Sequence, residues 1–217
     1  MNDDIERLGP LLRGNSDFQV MNSREIERFA YVQSPKHVFV ACSDSRVSPE
    51  LITKAGIGEI FGVRTMGGYL GKESIGSIEF AVSGFNIENL VVVGHTKCGA
   101  VSIAQRMLNG SIDMDEQRAL RGESFCDTVS SIGLNISKNP ENLSNLNSAV
   151  MDNARAQAMV LINNPVVANA MTKGMRLYVM MYNIERGSLE LAERWHSQDK
   201  ERETIAAAKH QRSKSTG

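Results

Sequence analysis

Three side chains in this sequence combine soft metal-ligand chemistry with workable spacing: Cys42, His95 and Cys98. Thiolate sulfur and imidazole nitrogen suit Zn²⁺, which wants short tetrahedral bonds from rigid elements. His95-x-x-Cys98 is a spacing that a single turn can close around one ion. Taken alone, such a pair is a weak signal, and a buried cysteine beside a hydrogen-bonded core histidine is the readier reading. Cys42 changes the balance, because Cys42 and His95 both follow short apolar β-rich runs. Side chains at the carboxyl ends of adjacent parallel strands meet in the crevice where open α/β sheets bind ligands. Three ligands leave one position open, as in catalytic zinc sites, whereas a structural site takes four protein ligands. Cys126 is the third cysteine. It lies in the helical-looking stretch Glu123-Ser124-Phe125-Cys126, away from any strand end, and reads as an inert, half-buried residue.

Asp44 and Arg46 follow Cys42 by two and four residues. A carboxylate there would ligate the metal or accept a hydrogen bond from water bound to it. Arg46 can hold that carboxylate in a bidentate pair and keep it ionised; the plain alternative is a surface ion pair at a turn. Two thiolates cancel the charge of Zn²⁺, so a Cys₂His site polarises water less than an all-histidine site and needs an aligned acceptor. Asp44 is the available one. Ser43 and Ser45 near Asp44 and His95 do not make a serine hydrolase, since no Gly-x-Ser-x-Gly elbow occurs. Gly56-Ile57-Gly58 and Gly67-Gly68 complete neither a dinucleotide nor a phosphate-binding loop.

These residues need a scaffold. His37 to Ala41, Glu59 to Val63, Asn89 to Gly94 and Met175 to Tyr182 read as strands. Between them, helices are expected from Ser48-Pro49, from Ser74 to Ser83, and through Met107 after Cys98. Strands alternating with helices predict βαβ units and a parallel sheet, and near-continuous apolar strands predict burial on both faces. Gly67-Gly68 and Gly71 read as a flexible loop. A helix is expected around 115–134, with others at 141–163 and 165–173. Arg186-Gly187-Ser188 turns the chain into a return strand at Leu189-Glu190-Leu191. Residues 3–13 and 17–32 read as two short helices punctuated by Asn15-Ser16-Asp17, too small to form a core alone. The charged, Ala-rich tail after Trp195 reads as helical or frayed.

The 217 residues predict one domain, or one domain with an arm. A composition of 41% hydrophobic and 23% charged residues is globular. Twenty-four Lys and Arg against 25 Asp and Glu give a net charge of −1, which argues against nucleic acid or anionic membrane as partner. No apolar run of transmembrane length occurs and the acidic N-terminus is not a signal peptide. Three cysteines are not a disulfide framework, so a reducing cytoplasm is the expected location.

At this level of detail the sequence resembles the β-class carbonic anhydrases. Cys42-Ser43-Asp44-Ser45-Arg46-Val47 together with His95-x-x-Cys98-Gly99 carries the resemblance. Leu12 to Phe18, Glu59 to Gly68, Gly76 to Val82, the Asn153…Gln157…Pro165 spacing and Tyr178 to Gly187 extend it over nearly the whole chain. It implies a Zn²⁺ enzyme interconverting CO₂ and bicarbonate. Cys42, His95 and Cys98 match the family's zinc ligands, and Asp44 and Arg46 match its catalytic dyad. In some members the aspartate at Asp44's position takes the fourth zinc site and closes it. The resemblance also implies an α/β fold, with four parallel strands, an added edge strand and flanking helices. It implies homodimers or homotetramers in which N-terminal helices embrace the neighbour. Residues 1–35 would then be that arm and 36–217 a single zinc-binding catalytic domain.

One stretch departs from the pattern. Arg64-Thr65-Met66-Gly67-Gly68 stands where the family usually has Arg-Asn-Ala-Gly-Asn. Losing two amides and adding Met predicts a more apolar and more flexible loop beside the site. Relatives with this zinc site hydrolyse carbonyl sulfide or carbon disulfide, which is the alternative reading of substrate. An alternative of another class is a non-catalytic, zinc-stabilised interaction protein, which would need a closed shell with Cys126 as fourth ligand.

Overall fold

The computed structural model describes residues 2–195, with side chains from Glu6 onward. The tail read as helical or frayed lies outside them. Five short runs rich in β-branched and aromatic residues form one sheet: β1 (His37–Cys42), β2 (Ile60–Thr65), β3 (Asn89–His95), β4 (Arg176–Asn183) and β5 (Ser188–Trp195). Their order is β2-β1-β3-β4-β5. The first four are parallel and β5 returns antiparallel to β4. The return strand is longer than the three residues expected, and a bulge between Val179 and Met180 bends the pair.

Alternation along the strands decides what each face meets. Val38 and Val40 of β1, with Leu90, Val92, Leu177 and Val179, point to a face covered by α4 (Lys72–Gly84), α8 (Leu146–Ile162) and α9 (Pro165–Thr172). Cys42 points the same way at the strand's end, under α5 (Gly99–Leu108) and α7 (Glu123–Ile136). Phe39, Ala41, Val91 and Val93 point to the other face and pack on the sheet's own side chains, Ile60, Tyr178 and Met180 among them. A groove of about 510 Å³ opens there, edged by residues 53–55 that follow α3 (Pro49–Thr53).

The helical regions differ from expectation in three places, each for a local reason. α1 (Asn2–Met21) runs straight through Asn15-Ser16-Asp17 and breaks only at Asn22, before α2 (Ser23–Phe29). The would-be capping groups bond along the helix instead: Ser16 Oγ donates to Leu12 O at 3.1 Å and Gln19 Nε2 to Asn15 Oδ1 at 3.0 Å. The helix expected around 115–134 is two, α6 (Met114–Arg121) and α7, because Gly122 at φ 85 breaks the run. The start of 141–163 is a 3-10 turn, Pro140–Leu143, and α8 begins only after Asn145 caps Asn147 N and Ser148 N.

Candidate metal centre

The site lies at the carboxyl ends of β1 and β3. From β1 the chain steps outward to β2, then crosses back to β3 on the other side, so the order of connection reverses between β1 and β3. That reversal opens the crevice in which α/β sheets hold ligands. Cys42 is the last residue of β1 and His95 the last of β3. Cys98 is the N-cap of α5. The structure brings the three together: one ligand atom from each lies within 4.8 Å of the others, and all three residues are buried.

The histidine is set for a ligand. His95 Nδ1 lies 3.0 Å from Thr96 O, and a carbonyl only accepts, so Nδ1 carries the hydrogen and Nε2 the free lone pair. Nε2 is buried with no hydrogen-bond partner. An orphaned buried acceptor beside two sulfurs is what a soft cation would satisfy, and a second ring nitrogen donating to a backbone carbonyl is the usual support of a metal-ligating histidine. The donor set therefore fits Zn²⁺.

The sulfurs are charged accordingly. The Cys98 thiol beside Cys42 lowers the Cys42 pKa to about 4, against the opposing effect of burial. The same neighbour and burial push Cys98 up, although the N–H groups of Val101 and Ala100 at the start of α5 favour its thiolate. The pair therefore favours a thiolate below the ordinary thiol range. A thiolate titration of the metal-free chain in the far ultraviolet is expected to show one sulfur ionising below pH 8, with that step missing from Cys42→Ser. A curve with no step below pH 8 would contradict this charge state.

Asp44 is turned onto Arg46, and the metal-ligand group does not include it. Arg46 Nε and N donate to Asp44 Oδ1 at 2.9 and 3.0 Å, and Nη2 donates to Oδ2 at 2.7 Å. The Arg46 side-chain bond holds the Asp44 carboxyl well below the usual carboxylate range. A carboxylate offers about four acceptor positions. Arg46 fills three, which leaves one on Oδ2.

Sequence reasoning missed what holds this loop in place. Arg64, on the neighbouring strand β2, donates through Nη2 to Asp44 O at 2.7 Å and through Nε to Cys42 O at 3.2 Å. On the other side of the site, Ile184 N donates to Thr96 Oγ1 at 3.0 Å and Lys97 pairs with Glu185 at 2.7 Å, tying the His95–Cys98 turn to the β4–β5 hairpin. The sign of these ties was an Arg on a strand next to the cysteine strand. Cys126 takes no part: it is fully buried on α7, its thiol 3.9 Å from Met114 O.

Residues 37–189 match the family model described as carbonic anhydrase. The chain is also 32% identical over 187 residues to a carbonic anhydrase of Pseudomonas aeruginosa, covering 82% of this chain and 83% of the other. The chain belongs to the β-carbonic anhydrase family. The fold agrees: the β-carbonic anhydrase CcaA superposes with a TM-score of 0.74 at 20% identity, over 89% of each chain. A tetrameric β-carbonic anhydrase of Sordaria macrospora superposes with a TM-score of 0.63 at 20% identity, over 88% of this chain and 97% of the other.

Against the β-carbonic anhydrase pattern, the unusual loop Thr65 to Gly68 is apolar, as expected, and it forms a packed turn. Met66 packs against the cluster containing Cys42 and Cys98. Thr65 Oγ1 donates to Tyr69 O at 2.6 Å instead of facing the site. Met66–Gly68 forms a 3-10 turn with Gly67 at φ 66 and Gly68 at φ 68. A Cβ on Gly67 would stand 2.8 Å from Ile132 Cδ1. Gly67→Ala is therefore expected to cost about 1–3 kcal/mol, or roughly 2–12 °C in Tm for a chain of this length. An unchanged melting curve would contradict the packing.

Proposed function

We propose that this β-carbonic anhydrase family member interconverts CO₂ and bicarbonate on a zinc ion held by Cys42, His95 and Cys98, with Asp44 and Arg46 as its catalytic dyad. The observation that carries the reading is the buried group of Cys42, His95 and Cys98, whose ligand atoms lie within 4.8 Å of one another, with His95 Nε2 left without a hydrogen-bond partner. Zinc bound there supplies Lewis acidity that makes water a nucleophile near neutral pH. The two thiolates neutralise the ion's charge and the buried crevice keeps the site in a low-dielectric setting. Asp44 stays ionised throughout the neutral range, and its free Oδ2 position accepts a hydrogen bond from the attacking water, aiming the lone pair at the carbon of CO₂. Arg46 holds the carboxylate in that orientation, and Arg64 holds the backbone that carries it. Because the folded-state pKa of Asp44 is depressed, its charge persists as pH falls through the ordinary carboxylate range. The acid limb of the rate profile must come from another group.

Stopped-flow hydration of CO₂ by the zinc-loaded chain at pH 8.5 tests this reading. Hydration well above buffer is expected. The Met66 wall beside the cysteines favours one second reading, hydrolysis of carbonyl sulfide or carbon disulfide. No CO₂ hydration together with sulfide release from carbonyl sulfide would replace the first reading with the second.

The family reading extends to assembly. α1 exposes Leu11, Val20 and Met21, each more than 70% exposed. Apolar side chains displayed on a lone helix call for a covering surface. Residues 1–35 act as an arm that embraces a second copy, giving a homodimer or homotetramer, with residues 36–217 as the catalytic domain. Deleting residues 1–32 is expected to reduce the mass measured by light scattering to that of the monomer; an unchanged mass would exclude the arm. No helix among the described residues is long and apolar enough to cross a membrane. All three cysteines are free thiols, which suits a cytoplasmic setting.

A further inference from the structure

Two buried amides on α8 line a cavity together with the three candidate metal ligands. Asn153 and Gln157 sit one helical turn apart, each 2% exposed. Asn153 Nδ2 donates to Gly67 O at 2.9 Å, and Leu70 N donates to Gln157 Oε1 at 3.0 Å. The two amides are joined to each other through Gln157 Nε2 and Asn153 Oδ1 at 3.4 Å, and Asn135 on α7 donates to the same Oδ1 at 3.0 Å. Together they grip both ends of the Met66–Leu70 turn. That turn lies directly against the cysteine strand: a Cβ on Gly68 would be 3.7 Å from Ala41 C and 3.9 Å from Cys42 N. Asn153, Gln157, Gly67, Cys42, His95 and Cys98 all line one small cavity of about 10 Å³.

We propose that Asn153 and Gln157 are positioning residues of the metal centre, clamping the 66–70 turn so that it stays packed against the Cys42 end of β1. This rests on the reading of Cys42, His95 and Cys98 as metal ligands. Groups that fix the position of a ligand in this way govern metal affinity. Two successive glycines at positive φ let the turn reach the strand, and their conformational freedom is why it needs a clamp. The amides are buried and mutually satisfied, so the clamp has one arrangement.

The test uses the full chain loaded with zinc for affinity and with cobalt(II) for its thiolate-to-metal charge-transfer band. Asn153→Leu is expected to weaken zinc 10–100-fold in chelator competition and to shift the cobalt band, because the turn against the Cys42 end of β1 is no longer held in place. Val167→Ala, buried on α9 in the other core cluster, lowers stability without moving either readout. If Asn153→Leu does not fold, Gln157→Met releases Leu70 and is expected to shift the same band. Hydrogen exchange on the metal-loaded wild type needs no variant and is expected to place the Gly67 and Leu70 amides in the slow class. Affinity within twofold of wild type with an unmoved band in a folded variant, or fast exchange at both amides, overturns the proposal. Wild-type chain that takes up cobalt with no charge-transfer band would instead overturn the metal-ligand reading beneath it.

Discussion

Cys42→Ser is expected to lose bound zinc and, with it, all CO₂ hydration above buffer. Serine replaces a thiolate that is already ionised at neutral pH by a hydroxyl that is not, and a neutral oxygen is a poor ligand for this borderline-soft ion. The substitution is close to isosteric. The backbone around it is held by Arg64 on Cys42 O and by the bond from Ser43 N to Thr65 O at 2.8 Å. The fold should therefore survive and the loss should be specific to the metal. Elemental analysis after dialysis, paired with circular dichroism, reads both. A folded Cys42→Ser chain that keeps one zinc would remove Cys42 from the ligand set. Cys126→Ser is the control: its thiol is not in the ligand group and faces Met114 O, and zinc should be retained. Loss of zinc from Cys126→Ser would favour the closed, non-catalytic site instead.

Asp44→Asn should separate chemistry from binding. The variant is expected to keep zinc and to lose about 10²–10⁴-fold in hydration rate, the range supplied by a positioned acid–base group. The amide removes the negative charge that Arg46 stabilises, and its NH₂ either meets the Arg46 donors or occupies the one acceptor position left for water. The fold should tolerate this change, since Arg46 is half exposed and its guanidinium can turn to solvent. Arg46→Ala should fall between wild type and Asp44→Asn, because it leaves the carboxylate charged but unoriented. A rate for Asp44→Asn within threefold of wild type would assign Asp44 and Arg46 to a surface ion pair, the plain alternative raised by the sequence.

The chemistry was legible in this sequence because parallel strands buried on both faces are continuous apolar runs, and such runs mark their own ends. Cys42 and His95 stand at those ends. What placed them side by side, the β1–β3 adjacency, follows from strand order and leaves no mark in either segment. The arm was misread for the opposite reason. Asn15 and Ser16 have cap-forming side chains, but a helix can absorb them when their oxygens bond back along it, as they do here. Gly67 and Gly68 announce that positive φ is allowed and say nothing about what enforces it. The enforcing groups, Asn153 and Gln157, lie more than eighty residues away on α8. Arg64 was visible in its loop, but its partners are main-chain oxygens, which the sequence does not single out.

X-ray absorption at the zinc edge of the loaded chain tests the central claim most directly. Two sulfur scatterers and two light scatterers are expected: Cys42 and Cys98, with the His95 nitrogen and one exchangeable oxygen. A third sulfur, or a shell with no sulfur, would contradict an open zinc site built from these three residues.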